Sequence, residues 1–299
     1  MKKFIIVAAL LFVITFVAGL IVLGKTGSFE IGGNKVEVSE TKSASAAGIE
    51  KIEIEAVSER VNIIKTEGAD LRADLKTSKR EGSDISLVVS RDESSKMIKV
   101  KVERERKIVF FSNDWSGVLD VYLPETYTGN ISAKTVSGEI ESANISGLKD
   151  VSLQSVSGRI EIKGKDLGQG NLKLKTVSGR INAEQISGFM AIEAESTSGR
   201  IEFSNLTGPT NVQTISGRIN LNYDALKGYI KAKSTSGKIV IDLPENADYN
   251  FNFETTSGRL EDKDKLNLTR ETRTFYEGKS GDGKNEIQVK TVSGGLSIE

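Results

Sequence analysis

Two residue types that could do chemistry, serine and arginine, recur together in this sequence at a regular spacing. The sharpest copy of their motif is Thr-Val-Ser-Gly-Arg-Ile at residues 176–181. A serine acts as a nucleophile only when a base activates it, and the sequence contains neither histidine nor cysteine. These absences exclude Ser-His-Asp triads, Cys-His dyads, disulfides and cysteine-based zinc sites. We therefore predict no catalytic residues, no cofactor and no metal, and we expect the serine to be structural.

The arginine of the motif could hold an anion through its forked N–H donors. When each repeat is counted from its serine as position 0, position +2 carries a row of cations that should point outward: Arg159, Arg180, Arg200, Arg218, Lys238 and Arg259. Position +4 carries acids in several repeats, among them Glu141, Glu161 and Glu202. Two interpretations stay open. The row is a solvated face whose charges neutralise one another, as surface ion pairs usually do, or it is a linear track for an anionic polymer.

The period of the motif predicts the architecture that positions these residues. Ser-Gly pairs begin at residues 137, 157, 178, 198, 216, 236, 257 and 293, and a repeat of about 20 residues is typical of a solenoid. Apolar or small residues occupy −6, −4 and −2, then +3 and +5, and this alternation predicts two strands per repeat. In the repeat at Ser157 they are Val151, Leu153, Ser155, Ile160 and Ile162. We predict an all-β fold, a β-solenoid of the parallel β-helix type with rungs ~4.7 Å apart.

The parity of the alternation changes at the Ser-Gly pair, which predicts a bulge or corner there. Glycine suits such a corner because it tolerates positive φ, and the predicted corner glycines are Gly138, Gly158, Gly179, Gly199, Gly217, Gly237, Gly258 and Gly294. Serine and threonine at −2 and 0 should form columns that hydrogen-bond along the stack. The β-branched residues at −1, such as Val156 and Ile215, either turn inward at the corner or form an exposed stripe.

The first residues of the sequence predict a membrane anchor. Lys2 and Lys3 precede an apolar run at residues 4–23, which has about the length of a membrane-spanning helix. The run is longer than that of a cleaved signal peptide, so we expect an uncleaved signal anchor with the N-terminus in the cytoplasm and the remainder outside the cell. The predicted organisation is an anchor at residues 1–24, a flexible stalk at 25–47, a divergent β-repeat with a β-hairpin cap at 48–124, and Ser-Gly solenoid repeats at 125–299.

The C-terminal part of the sequence departs from the regular spacing. Residues 262–285 are polar and predict a surface loop. A glycan-cleaving site needs converging carboxylates, and the candidates for them in this segment are Asp262, Asp264 and Asp282. The sequence ends at Glu299, directly after a repeat, and an uncovered last rung would favour end-on self-association.

Three features together carry a family resemblance. They are the lysine-led anchor, the Leu-Pro pairs at 123–124 and 243–244, and the repeated Val-Ser-Gly-Arg-Ile. They make residues 48–299 resemble the LiaG-like envelope proteins of Gram-positive bacteria, which belong to a "putative adhesin" family of unknown function. The resemblance implies a β-solenoid on the outer face of the membrane, linked to envelope stress, and it supplies no catalytic residues. In that setting the anionic polymer would be a wall polymer such as teichoic acid, and protein partners would be envelope membrane proteins.

We therefore predict a membrane-anchored, non-enzymatic protein with a structural or interaction role at the cell envelope. The alternatives are a self-assembling filament or scaffold, and a protein that binds or cleaves wall glycan. Lys+Arg and Asp+Glu both number 41, so no net charge attracts nucleic acid, and we expect no nucleic-acid partner.

Overall fold

The described part of the protein is built from strands. The computed structural model describes residues 35–80, 84–104, 117–143, 145–164, 168–261, 263 and 266–299. The regular elements of these residues are strands, so the all-β prediction is confirmed. No helix within these ranges is long and apolar enough to cross a membrane, and the anchor predicted at residues 1–24 lies outside them.

The strands of the described residues form two sheets. In spatial order the first sheet contains 11 strands: β1 (Lys35–Ser45), β4 (Asp70–Arg80), β7 (Val118–Pro124), β3 (Arg60–Thr66), β9 (Ile140–Ala143), β11 (Ile160–Lys163), β13 (Ile181–Glu184), β15 (Ile201–Thr207), β17 (Ile219–Ala225), β19 (Ile239–Asp242) and β24 (Leu296–Ile298). The second sheet contains 13 strands: β21 (Leu268–Glu271), β22 (Phe275–Ser280), β20 (Tyr249–Glu254), β23 (Asn285–Thr291), β18 (Tyr229–Ser234), β16 (Thr210–Thr214), β14 (Ala191–Ser196), β12 (Asn171–Thr176), β10 (Val151–Ser155), β8 (Asn130–Thr135), β2 (Lys51–Glu55), β6 (Met97–Arg104) and β5 (Ile85–Asp92).

Each regular repeat contributes one strand to each sheet, and neighbouring rungs are parallel and in register. Val151 pairs with Leu172, and Ile160 pairs with Ile181, so equivalent positions of successive repeats form columns. The alternation then decides which columns are buried: Leu153, Ile160 and Ile162 have no exposed surface. The solenoid architecture predicted from the repeat is confirmed, and its narrow core is mostly aliphatic.

At the N-terminal end, the order of the rungs in space differs from their order in the sequence. β2 and β3 pair in parallel with β6 and β7 on one side and with β8 and β9 on the other. Residues 51–66 therefore form an inner rung, and the later strands β6 and β7 lie outside it. Beyond these, β5 pairs antiparallel with β6. β4 pairs antiparallel with β7, and β1 pairs antiparallel with β4 at the edge of the first sheet. The antiparallel strands β1, β4 and β5 thus cover a rung formed by β6 and β7, which the repeat pattern of the sequence did not predict.

The prediction of a flexible stalk at 25–47 is wrong for residues 35–45, which form β1. All of β1 pairs with β4, from Lys35 opposite Arg80 to Ser45 opposite Asp70. The segment is rich in serine, threonine and charged residues, a composition that resembles a linker. It forms an edge strand because β4 supplies its backbone hydrogen-bond partners, and an edge strand tolerates polar side chains.

The C-terminal end has a corresponding change of order. β23 and β24 pair in parallel with β18 and β19, and β20 lies beyond β23. The N–H of Leu296 in β24 donates to Arg259 O at 2.9 Å, and Leu296 O accepts from Glu261 N at 2.8 Å. The premise of an uncovered last rung is therefore wrong. The loop predicted at 262–285 is also wrong in part, because it contains β21 and β22, an antiparallel pair that extends the second sheet.

The C-terminal rung order can be tested by disulfide formation, because the sequence lacks cysteine. Lys290 on β23 lies between two residues at equivalent positions of the neighbouring strands. It pairs with Lys233 on β18 and with Glu254 on β20. We expect Lys233→Cys/Lys290→Cys to form an intramolecular disulfide under mild oxidation, since adjacent strands lie ~4.8 Å apart, within disulfide range. Lys233→Cys/Glu254→Cys places the thiols two strands apart and should stay reduced. Mass spectrometry after thiol alkylation measures both, and the reverse pattern would mean that the rungs stack in sequence order.

Candidate functional site: the corner groove

The Ser-Gly corner is shaped by a close approach between the glycines of adjacent rungs. A β-carbon on Gly158 would overlap the carbonyl oxygen of Gly138, and one on Gly199 would overlap that of Gly179. The same overlap with the preceding rung occurs at Gly138, Gly179, Gly217, Gly237, Gly294 and Gly258. None of these corner glycines has a positive φ, so the reason predicted for them is wrong. Glycine is required because backbone occupies the space that a side chain would need.

Positive φ occurs instead at the opposite turn of the rung. Gly147, Gly188, Gly208 and Gly228 lie there with φ of 76°, 90°, 122° and 98°. A residue with a β-carbon is strained in this region. The two turns of each rung therefore use glycine for different physical reasons.

A buried hydroxyl at position −2 accepts the N–H of the corner glycine in seven of the eight Ser-Gly repeats. Ser155 Oγ accepts the N–H of Gly158 at 2.8 Å, and Thr176 Oγ1 accepts that of Gly179 at 2.9 Å. Ser155 Oγ also donates to the carbonyl oxygen of Gly138 at 3.3 Å, one rung away. The hydroxyl column predicted at −2 is confirmed. Because these groups are buried, losing one would leave a glycine N–H without a partner.

The serine at position 0 has a different environment, because its side chain is exposed. Ser236 Oγ donates to Ile215 O at 3.4 Å, and Ser257 Oγ donates to Val292 O at 3.3 Å. These contacts join position 0 to the −1 carbonyl of the neighbouring rung. The side chains at −1 are themselves half-exposed, for example Val156 and Ile215, so the column forms an outward stripe rather than turning into the core.

Glu59 takes over the corner hydrogen bonds at the first repeat. In later repeats the N–H groups at −1 and 0 donate to the −1 carbonyl of the neighbouring rung, as Val156 and Ser157 do to Val136 at 3.2 and 2.8 Å. The corresponding groups of Val57 and Ser58 donate to Glu59 Oε2, both at 3.1 Å. The Glu59 side chain is fully buried and its other oxygen pairs with Arg104. A carboxylate thus replaces a backbone carbonyl at this end of the corner column.

The outer side of the corner forms an open groove of about 550 Å³. Its lining residues come from positions 0, +1 and +2 of consecutive rungs: Ser178, Arg180, Ser198, Gly199, Arg200, Ser216, Gly217, Arg218, Gly237 and Lys238. Serine hydroxyls and cationic side chains therefore line this groove together with glycine backbone. We call it the corner groove.

The structure places five of the six predicted row cations on consecutive rungs. The carbonyls of Arg159, Arg180, Arg200, Arg218 and Lys238 accept hydrogen bonds from position +3 of the preceding rung, at 2.9 to 3.0 Å. Arg259 does not follow Lys238, because Gly295 lies between them: Ile239 N donates to Gly295 O, and Leu296 N donates to Arg259 O. The predicted continuity to Arg259 is therefore wrong. Sequence reasoning also missed Arg60, which stands at +2 of the first repeat, two rungs from Arg159, with Glu139 at the equivalent position of the rung between them.

Carboxylates neutralise the row at its N-terminal part. Arg60 lies 3.1 Å from Glu139 and 3.5 Å from Glu141. Arg159 lies 3.9 Å from Glu139 and 3.6 Å from Glu161. These side chains are about one-third to one-half exposed, so each pair contributes about 0–1 kcal/mol. Here the structure agrees with the interpretation of a self-neutralising face.

The part of the row in the corner groove is less compensated. Glu202 is shared by Arg180 at 4.0 Å and Arg200 at 3.1 Å, and Lys238 pairs with Glu261 at 2.5 Å. Arg218 makes no ion pair within the described ranges. Position +4 carries neutral Asn182, Asn220 and Val240 here, and Asn220 Oδ1 is buried without a hydrogen-bond partner. Four cations are therefore matched by two carboxylates, which leaves a local excess of two positive charges.

Asp282 is the one predicted acid of the C-terminal segment that lies in the part of the chain that the structure describes. It is exposed and shares Lys284 with Asp248: the two carboxylates lie 3.7 and 3.5 Å from Lys284 Nζ. Asp248 Oδ1 accepts the backbone N–H of Lys284 at 2.8 Å, and this hydrogen bond is the largest cause that lowers the pKa of the Asp248 carboxyl. Asp262 and Asp264 lie outside the described residues. Within those residues, no group of three or more acids is placed to hold a metal.

The stacked Ser-Gly rungs and their glycine corners define the fold of this protein as a β-solenoid. Comparison with known proteins gives its family. The chain belongs to the Toastrack DUF4097 family, whose profile matches residues 49–299. No curated protein matches the chain. The narrower LiaG-like identity stays a prediction.

Solved structures similar to this chain are related at low identity. A "putative adhesin" from Bacteroides fragilis NCTC 9343 has a TM-score of 0.48 and 15% identity, covering 88% of this chain and 97% of its own. A "putative cell adhesion protein" from Clostridium sporogenes ATCC 15579 has a TM-score of 0.34 and 14% identity, covering 88% and 99%. A "putative lipid binding protein" from Parabacteroides distasonis ATCC 8503 has a TM-score of 0.36 and 13% identity, covering 87% and 96%.

Substitution at Gly199 tests why the corner requires glycine. We expect Gly199→Ala to lower the free energy of unfolding by about 1–3 kcal/mol, because the new β-carbon overlaps the Gly179 carbonyl. Gly199→Asn should cost at least as much, whereas Asn would be the milder change if positive φ were the reason. The exposed neighbour Ser198→Ala is the control and should stay within about 0.5 kcal/mol. Urea unfolding followed by circular dichroism measures all three variants.

Substitution at Glu59 tests the carboxylate at the end of the corner column. Glu59→Ala leaves two N–H groups without their acceptor and leaves Arg104 without its carboxylate, so we expect a loss of about 3–5 kcal/mol in unfolding free energy. Glu103→Ala removes the exposed pair with Lys101, which lies two residues away on the same strand, β6, and should change stability by less than about 1 kcal/mol. Equal effects of the two substitutions would contradict the assignment.

Proposed function

We propose that this chain is a single-pass membrane protein that presents a non-enzymatic β-solenoid outside the cell, with a structural or interaction role in the envelope and its stress response. Lys2, Lys3 and the apolar run at residues 4–23 support the anchor and its orientation. Two of the similar solved proteins carry names that refer to adhesion, and contact with an external partner is consistent with such a role.

The observation that carries the proposal is the open, repeat-built corner groove. Solenoids commonly bind partners along extended surfaces because equivalent side chains recur on each rung. The corner groove repeats a serine and a cation on successive rungs, at the spacing of neighbouring strands. Its partners would be an anionic wall polymer such as teichoic acid, or envelope membrane proteins that present acidic segments.

The alternative functions have less support in the described residues. The filament hypothesis began from an uncovered last rung, and β24 is hydrogen-bonded on both sides. The glycan-cleaving hypothesis requires converging carboxylates, and in the described residues the carboxylates of Asp282 and Asp248 both pair with Lys284. Self-association and glycan binding stay predictions without a contact that favours them.

Cysteine labelling in intact cells tests the proposed location, because the chain has no cysteine of its own. Glu245→Cys places a thiol at an exposed turn, at the opposite end of β19 from Lys238 of the corner groove. We expect a membrane-impermeant maleimide to label this variant in intact cells, and to label a cysteine inserted after Met1 only after lysis. The full-length protein should also stay in the membrane pellet after an alkaline wash. Labelling of the inserted cysteine but not of Glu245→Cys in intact cells, or release of the protein into the medium, would overturn the proposal.

A further inference from the structure

We propose that the corner groove between Arg180 and Lys238 binds a linear polyanion that presents one oxyanion group, phosphate or carboxylate, to each rung or to every second rung. This deepens the proposed envelope function and rests on it for the source of the polymer. The proposal concerns four successive rungs rather than the whole cationic row.

The uneven pairing of one repeated motif locates the site. Arg60 and Arg159 each have two carboxylates within 4 Å, whereas Arg218 has none within the described ranges. The fold is the same in both parts, so it accommodates a row in which each arginine is paired with carboxylates. Cations stacked one rung apart repel one another, and an excess of them is unfavourable until an anion occupies the row. An external polyanion would supply the missing negative charge.

The lining of the corner groove indicates which part of a ligand it recognises. Guanidinium groups bind phosphate and carboxylate oxygens through paired N–H donors, and the hydroxyls of Ser178, Ser198 and Ser216 can add hydrogen bonds from the other wall. The lining contains no aromatic side chain, so bases have no platform on which to stack. The corner groove therefore suits a ligand that is recognised by its charged groups and not by its rings.

The shape of the groove favours a polymer over a small anion. Lys238 lies three rungs from Arg180, a distance of about 14 Å at the usual strand spacing. The groove is open to solvent, so a single oxyanion would reach one or two cations and compete with water. A polymer reaches all four, and each later contact forms at the high effective concentration set by the first. Glycine at +1 keeps the floor free of side chains, which lets an extended chain lie along it.

Binding of model polyanions to the full-length chain in nonionic detergent tests the proposal. The probes are long-chain inorganic polyphosphate, poly-L-glutamate, and orthophosphate as the single-anion control. We expect polyphosphate or poly-L-glutamate to bind, with a log–log salt slope of about −3 for four cationic contacts. Orthophosphate at equal phosphate concentration should fail to compete. The tighter of the two polymers identifies the oxyanion, and either preference supports the proposal.

Two matched double variants separate the site from the general charge of the protein. Arg200→Gln/Arg218→Gln removes two groove cations, and we expect at least a tenfold loss of affinity and a salt slope smaller by about 1.4. Arg60→Gln/Arg159→Gln removes the same charge from the paired part of the row and should stay within about threefold of the unchanged protein. Circular dichroism melting confirms that both variants are folded. Equal losses in both variants, or no binding of either polymer at low salt, would overturn the proposal.

The test is independent of the labelling experiment on the proposed function. If Glu245→Cys is labelled outside the cell and no polyanion binds, the groove assignment is overturned and the envelope location stands. If the polyanion binds but the domain is labelled only after lysis, the groove assignment stands and the envelope function is overturned.

Discussion

The close approach of stacked glycines sets the geometry of the corner on which the other columns depend. Because the carbonyl oxygen of one glycine occupies the space of a β-carbon in the next rung, the backbones approach more closely there than side chains would permit. The −2 hydroxyl and the shared −1 carbonyl then repeat their hydrogen bonds from rung to rung. The corner is held by backbone and buried hydroxyls, so the exposed side chains at +2 and +4 can change without altering it.

Because the corner does not depend on the exposed side chains, the same architecture can hold a row of paired charges in one part and a cationic groove in another. Equivalent residues lie in columns, so an exchange of glutamate for asparagine or valine at +4 changes the local charge and leaves the strand pairing intact. Such exchanges are present at Asn182, Asn220 and Val240, and at these positions β13, β17 and β19 keep the parallel register of the repeat. The charge excess near Arg218 is therefore a property of the side chains and is not imposed by the fold.

The sequence was sufficient to predict what depends on local periodicity. Alternation around each Ser-Gly pair correctly assigned buried positions such as Leu153 and Ile160, and the period predicted parallel, in-register rungs. It could not predict the rung order at the two ends, because pairing between distant segments decides it. The repeat at Ser293 is the last in the sequence, but in the fold it lies between the rungs of Lys238 and Arg259. The predicted cationic row therefore contained one residue too many. The reason for the corner glycines was also missed, since a steric contact between rungs leaves no trace in the sequence of a single repeat.

The direction of the glycine contact distinguishes the corner at Glu59, which lacks glycine, from the corners that follow it. A corner residue in the described part of the chain requires glycine where a carbonyl from the preceding rung points at it. Gly138 faces the carbonyl of Glu59, and Gly258, the last of the column, faces that of Gly294. Glu59 is the first corner residue of this column in the described part of the chain, and its carboxylate accepts the N–H groups of Val57 and Ser58 that other rungs direct to a carbonyl. The contacts run in one direction from the carbonyl of Glu59 to Gly258, so the described part of the corner column has a polarity.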